Sequence, residues 1–583
     1  MKKLKRIMSL MLIMILVLTS CSQEPNTTTP DNGEAETPVS EEKTTYNAGT
    51  YTAIGDGRNG PIVVQIEFSD EAIENIEVVS HKETYHVGDV PMDVYPDLIV
   101  ENQSLDVDIV SGATISSVAL LEAVRQGVRE AGGDPSELNT PITANQEPAT
   151  DITTDILVIG GGAAGMSAAS SAAAAGKDVI LVEKLGFLGG TSAYSIEGYG
   201  ASESLAHKAL NVPSTADDMY ANYIKNNPKG IPEAFDVLAH KSGEAADWLR
   251  SIGAPLTVAS SGFSAATSRE VGKLGEVITS ALRAEVKKNN VDVRINTKAT
   301  ELIMENDIIA GAKVEGSNGE YNIKAGAVII ATGGFGANNK MVAEYVPSLE
   351  GYNSSCSIGA TGDGQIMAEA VGAGLRDMDY IRVNFTYYTD GVKVYYMGSL
   401  PNTGAIFVNN DGQRFINDQS GYGSGMAVVD QGGTGWMIFD QSLIDSVQDV
   451  REYYNLGIFE SAPTIEELAD KIGVNKENLA NTVNTYVGYV ENGKDEEFGR
   501  GMLNMTFDEA PYYACKMTAH VQGTFGGIKT NTAAEVLTSE DIVIPGLYAA
   551  GESASVGTYG ANPMAVNIVF GRIAGENASS YVE

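Results

Sequence analysis

The pattern of apolar and polar positions divides this chain before any chemistry is considered. Ile156 to Ile159 is a short unbroken apolar run, as expected of a strand buried on both faces. A glycine-rich stretch follows, then small helix-favouring residues from Ser167 to Ala175, with Gly176 placed as a C-terminal cap. Val179 to Val182 is a second apolar run, ended by Glu183. The pattern predicts strand, turn, helix and strand over Asp155–Glu183. Nearer the N-terminus, Ile62–Ile66 and Ile76–Val79 read as strands with a turn near Ser69 and Asp70, and Leu120–Arg129 reads as an amphipathic helix. Residues 21–45 and 133–151 are polar and carry prolines, as flexible connections do.

The glycines give the central stretch its chemistry. Gly160, Gly162 and Gly165 form G-x-G-x-x-G where the strand passes into the helix. The first permits the tight turn, the second lets backbone approach a pyrophosphate, and the third lets helix pack on strand. The amides opening the helix form a positive pole for a diphosphate, and Glu183 is placed to accept from a ribose hydroxyl. Strand, turn, helix and terminal acid all occur in register, which predicts a dinucleotide site.

Composition narrows the setting. The chain has 583 residues and a formal charge of −38, which argues against a nucleic-acid partner. Lys2, Lys3, Lys5 and Arg6 precede an apolar run from Ile7 to Leu18, and Leu18-Thr19-Ser20-Cys21 follows. This is a signal peptide over residues 1–20, too short for a comfortable membrane span. The small residues before Cys21 resemble a bacterial lipobox, which implies lipid attachment at Cys21. The expected location is the extracytoplasmic face of the bacterial membrane, held by the lipid alone. Cys356 and Cys515 are the other cysteines, and the five histidines lack ligand spacing, so neither a disulfide framework nor a metal centre is expected.

Asp108-Ile-Val-Ser-Gly-Ala-Thr114 resembles the D-x-x-[ST]-G-A-T signature of FMN-binding domains, and His81-Lys82-Glu83-Thr84 also matches that family. The resemblance implies an FMN-binding domain over residues 46–132, with FMN joined to Thr114 through a phosphoester by a dedicated flavin transferase.

From Asp155 onward the chain resembles the superfamily of FAD-binding fumarate reductases and ketosteroid dehydrogenases. The motifs are Gly189-Gly-Thr191-Ser192, Ile329-Ile-Ala-Thr-Gly-Gly-Phe335, Gly359-Ala-Thr-Gly-Asp363-Gly364 and Pro545-Gly-Leu-Tyr-Ala-Ala-Gly-Glu552. The fold class expected is α/β: a Rossmann-like FAD-binding domain in two parts, 152–378 and 523–583, with an α+β capping domain inserted at 379–522. Non-covalent FAD is implied at Gly160, Gly162, Ala164, Gly165, Glu183, Thr191, Ser192, Gly198, Asp363, Glu552 and Met564. Glu552 is expected near the ribityl chain.

The dicarboxylate-binding residues of fumarate reductases are replaced. Asn384 and Gly523 stand where the resemblance places two substrate histidines, and Tyr422 stands at the catalytic arginine. No arginine occurs between Glu552 and Arg572, and Arg382 is placed outside the carboxylate clamp. The motifs around Tyr422 and Tyr559 resemble the ketosteroid dehydrogenase branch, which implies Tyr422 as the proton donor or acceptor and Tyr559 as the carbonyl ligand. The expected function is an extracytoplasmic flavin reductase taking electrons from a membrane donor through FMN to FAD. Its acceptor would be a small molecule with an activated C=C bond, uncharged or aromatic, such as a steroid-like enone or plant phenolic. The alternatives are a dehydrogenase running oxidatively and a flavin electron carrier without turnover. His520 and the tyrosines Tyr387, Tyr388, Tyr395 and Tyr396 have no role fixed by sequence.

Overall fold

The computed structural model describes residues 45–84, 87–140, 149–196, 198–259, 262–265, 273–391, 393–419 and 423–583. The signal segment, Cys21 and Tyr422 lie outside the described residues.

The N-terminal domain is an antiparallel sheet of Gly49–Asp56, Pro61–Phe68 and Ile73–Ser80 covered by the helices Val90–Asn102 and Thr114–Glu130. Ile62, Val64, Ile66 and Phe68 occupy alternate positions and are buried against Leu120, Leu121, Val124 and Val128 of the second helix. A period-two face meeting a helical stripe makes one closed core. The two strands and the helix expected from the pattern are present. The edge strand Gly49–Asp56 and the proline-bearing helix Val90–Asn102 are additions.

In the flavin domain Ile152–Ile159 runs parallel to Val179–Val182 on one side and to Gly319–Ile330 on the other. Val543–Ala549 joins the same sheet parallel to the end of Gly319–Ile330. The apolar runs become central strands because helices cover them: Ala163–Ala174, Leu274–Lys288 and Pro563–Tyr581 share a single buried core with them. The alanines of the first helix are needed for that closeness, since it is buried on nearly every side.

The cap core runs from Phe385, Phe407, Ile438 and Phe439 to Ala514 and Met517, and takes in Phe335, Met341, Val342 and Leu349 of the flavin domain. Its sheet is built on Tyr512–Thr524, which pairs with both Ile381–Asp390 and Thr434–Asp440. The chain enters and leaves the cap through adjoining antiparallel pairs, Leu375↔Ile528 and Arg376↔Gly527, then Ile381↔Thr524 and Arg382↔Gly523.

Candidate active site

The glycine turn opens a cleft at the C-terminal ends of the parallel strands, where α/β folds place their ligands. Gly160 has φ +109°, and a side chain at Gly165 would overlap the Gly160 carbonyl oxygen, so the turn and the helix close on each other only as glycines. Gly160, Gly162, Ala164, Glu183, Thr191, Ser192, Asp363 and Glu552 all line the cleft. Gly165 lies beneath the turn. Met564 is buried at the start of the last helix, and the Gly198 carbonyl accepts from Asn562 Nδ2 at 2.6 Å. Neither is among the lining residues.

The Glu183 carboxylate accepts from the amides of Gly161 at 2.7 Å and Leu185 at 2.8 Å. Burial pushes its pKa up against the pull of those amides. Lys184, not singled out by sequence although it follows Glu183 directly, places Nζ 2.7 Å from Asp363 Oδ2 and 2.5 Å from Thr361 Oγ1. Thr332, another lining residue, has a buried hydroxyl with no hydrogen-bond partner. Buried polar groups without partners are rare and point to a missing one. An open helix N-terminus, an acid at the second strand end and this hydroxyl together fit a flavin dinucleotide.

At the far end of the cleft the cap meets Glu552. Its carboxylate accepts from the Thr524 amide at 2.6 Å. Burial raises its pKa, and the Thr524 amide and the Arg382 guanidinium oppose that rise. Arg382 also faces the Cys356 thiol, which burial and Glu552 push up to about 12. Gly523 stands opposite Arg382, and a Cβ on it would lie 2.9 Å from Glu552 Oε1.

Asn384 is 2% exposed and committed to its own domain. Its Oδ1 accepts from the Thr386 amide at 2.9 Å and hydroxyl at 2.8 Å, and its Nδ2 donates to Gln522 Oε1 at 3.2 Å. His520 is fully buried, with Nε2 2.8 Å from Thr389 Oγ1 and the Tyr387 ring 4.9 Å away. Burial drives its pKa down to about 4, so it is neutral at pH 7. The Tyr559 hydroxyl donates to the Asp377 carboxylate and lies 3.0 Å from Ser555 Oγ. Its ring meets Tyr380 edge-on at 5.1 Å.

In the N-terminal domain Thr114 is exposed at the first position of its helix. The residue before it is Ala113, so no side chain caps the helix and its first amides remain open to an anion such as phosphate. The buried Glu83 carboxylate holds the surrounding loops, accepting from the Ser116 hydroxyl and from the Asn59 amide at 2.9 Å. An exposed hydroxyl beside an uncapped helix start fits a phosphate-linked FMN.

Two family models match this chain: the FAD binding domain over residues 155–569 and the FMN-binding domain over residues 57–129. The urocanate reductase of Eggerthella lenta is 35% identical over 562 residues, covering 91% of this chain and 92% of that protein. A probable fumarate reductase of Shewanella frigidimarina, Ifc3, is 35% identical over 447 residues, 74% of this chain and 75% of that one. The open conformation of a flavocytochrome c3 fumarate reductase superposes with a TM-score of 0.65 at 32% identity, covering 77% of this chain and 84% of that one. The chain belongs to the FAD-binding fumarate reductase and ketosteroid dehydrogenase superfamily, with an FMN-binding domain at its N-terminus. It is a flavin-dependent oxidoreductase acting on CH–CH bonds.

Proposed function

We propose that this protein reduces the activated C=C bond of an uncharged or aromatic acceptor, with electrons delivered through FMN carried on Thr114. The observation that supports the acceptor class is the Arg382 guanidinium acting on the buried Glu552 carboxyl, whose pKa it pulls down against burial. The Arg382 charge is directed at groups of the protein itself, Glu552 and the Cys356 thiol. Gly523 offers no side chain, Asn384 is spent on Thr386 and Gln522, and His520 is neutral. A dicarboxylate taken from water needs charged partners in such a place.

FAD, when bound in the cleft, would supply a hydride for the β-carbon of the acceptor. The protein supplies position and the proton. Gly162 and the helix it opens would hold the diphosphate, Glu183 the adenosine ribose, and Glu552 with Thr524 the flavin end. Tyr422, assigned from the sequence resemblance, protonates the α-carbon; phenols in general titrate at about 10, so they hold their proton at neutral pH and can donate it. One hydride and one proton then saturate the bond. Backbone amides stabilise the developing enolate oxygen. Tyr559 would join them only by exchanging Asp377 for that oxygen. Lipid on Cys21 holds the enzyme on the outer face of the membrane, within reach of a membrane electron donor, and a flavin transferase loads Thr114.

The test is anaerobic. The reduced protein is mixed with enones, cinnamates, steroids and fumarate while flavin absorbance is followed. Recovery of oxidised flavin with one neutral class, lost in Tyr422→Phe, is the expected result. Recovery with fumarate overturns the acceptor class, and recovery with nothing overturns the enzyme reading in favour of a carrier. Cys21→Ser should release the protein from membranes.

A further inference from the structure

Leu185 lines the flavin cleft on one side and abuts the Thr114 loop on the other. A Cβ at Gly359, another lining residue, would lie 3.2 Å from Leu185 Cδ1. Gly112, two residues before Thr114, has φ +93°, and a Cβ on it would lie 2.5 Å from Phe187 Cε1 and 3.6 Å from Leu185 Cδ1. Leu185, Phe187, Ala193 and Val87 form one buried apolar cluster, with Val110 packed against it. Leu185 is 6% exposed and Phe187 4%, although both sit on a turn of the flavin domain. The N-terminal domain contributes Val87 and Val110 to that cover.

The cap holds the same domain from another side. Lys393 Nζ lies 3.1 Å from Asp56 Oδ1, and the Tyr395 hydroxyl donates to the Arg58 carbonyl at 3.3 Å. The Arg58 guanidinium lies 5.9 Å from the centre of the Tyr194 ring, in the flavin domain. The Asp56 side chain is 86% exposed, so the ion pair is screened by salt and orients the domain more than it binds it.

We propose that the Leu185–Phe187 turn is the electron junction of this enzyme: a docking seat that holds the Thr114 loop against the wall of the FAD cleft, oriented by the cap hairpin through Lys393 and Tyr395. The junction rests on the reading of Thr114 as the FMN carrier. Each transfer oxidises the reduced flavin on Thr114 and reduces the cleft flavin by the same two electrons. Protons are exchanged with water, to which Thr114 is exposed. The junction gives a reason for glycine at position 112, where any side chain would push the loop off its seat.

The test uses full-length protein loaded with both flavins, after mass spectrometry of the Thr114 peptide. In Asp56→Cys/Lys393→Cys a short bis-maleimide should join the two positions, with or without flavin, and neither single variant should crosslink internally. The crosslinked protein should pass electrons between the flavins at the uncrosslinked low-salt rate and keep that rate in high salt. Phe187→Ser should slow interflavin transfer by about tenfold, with both flavin contents and the reoxidation of reduced FAD by acceptor unchanged. No crosslink, or a crosslinked protein slowed about tenfold, would show that the docked arrangement does not carry electrons. An unchanged transfer rate in Phe187→Ser would remove the turn from the route. If the Thr114 peptide carries no flavin mass, the carrier reading fails, and the electron route with it, whatever the crosslink shows about docking.

Discussion

The Tyr559 hydroxyl donates to the Asp377 carboxylate at the place where the cap joins the flavin domain. Asp377 has φ +50°, and the Phe525 amide donates to the Tyr380 carbonyl at 2.9 Å across the adjoining crossing. The Tyr559 ring meets those of Tyr380 and Phe525 edge to face, and these two lie tilted by 31° to each other. Burial and Asp377 both push the Tyr559 pKa up, so the phenol keeps its proton and its hold.

Tyr559→Phe therefore removes a tie between hinge and flavin domain. Asp377 is exposed and regains water, so the expected loss is about 1 kcal/mol of stability, measured by urea unfolding. Flavin reoxidation by acceptor should change by less than about tenfold. A loss of about 10²–10³ would instead place the hydroxyl on the reacting oxygen.

His520 should make the cap sensitive to acid. Its folded pKa of about 4 lies below the ordinary 6.5. The unfolded chain therefore binds more protons between those values. Its contribution is fully present above pH 6.5 and is lost as the pH falls toward 4, by roughly 3 kcal/mol at most. Denaturant titrations across that range should show the slope, and His520→Gln should flatten it.

Gly523→Ala brings a methyl group to 2.9 Å from Glu552 Oε1, while the Thr524 amide beside it holds the same carboxylate. The carboxylate has to shift. Overpacking of this kind costs about 1–3 kcal/mol, expected here as weaker FAD binding in equilibrium dialysis of apoprotein, with cap folding unchanged by circular dichroism.

Arg500 is fully buried and donates to Asp418 and to the carbonyls of Ala405, Pro401 and Met502. Arg414 lies between Asp418 and Asp495 in the same network. Arg500→Ala leaves Asp418 short of its counter-charge and should cost about 3–5 kcal/mol, read as a lower midpoint of thermal unfolding. Arg500→Lys should recover only part of it, since an ammonium cannot span these acceptors.

The strand-turn-helix-strand over Asp155–Glu183 was legible because every constraint on it is local. Apolar runs, glycine spacing and the terminal acid lie within one short stretch. The strand Gly49–Asp56 was not, since Ala53 is the one fully buried apolar side chain it offers the core. Two prolines hid the helix Val90–Asn102. The partners that define the far end of the cleft are remote in sequence: Arg382 with Glu552, Asn384 with Gln522, Tyr559 with Asp377. Residue types named those positions as candidates, but only folding says which of them are already engaged.

The paired crossings at Arg376–Gly527 and Ile381–Thr524 bring the two ends of the cap side by side. A segment joined in this way behaves as a cassette. Residues between the crossings can diverge, lengthen or be exchanged while the parallel sheet behind them stays intact. A change in the cap can therefore arise in one part of the gene while the strands of the flavin cleft are inherited unchanged in the rest.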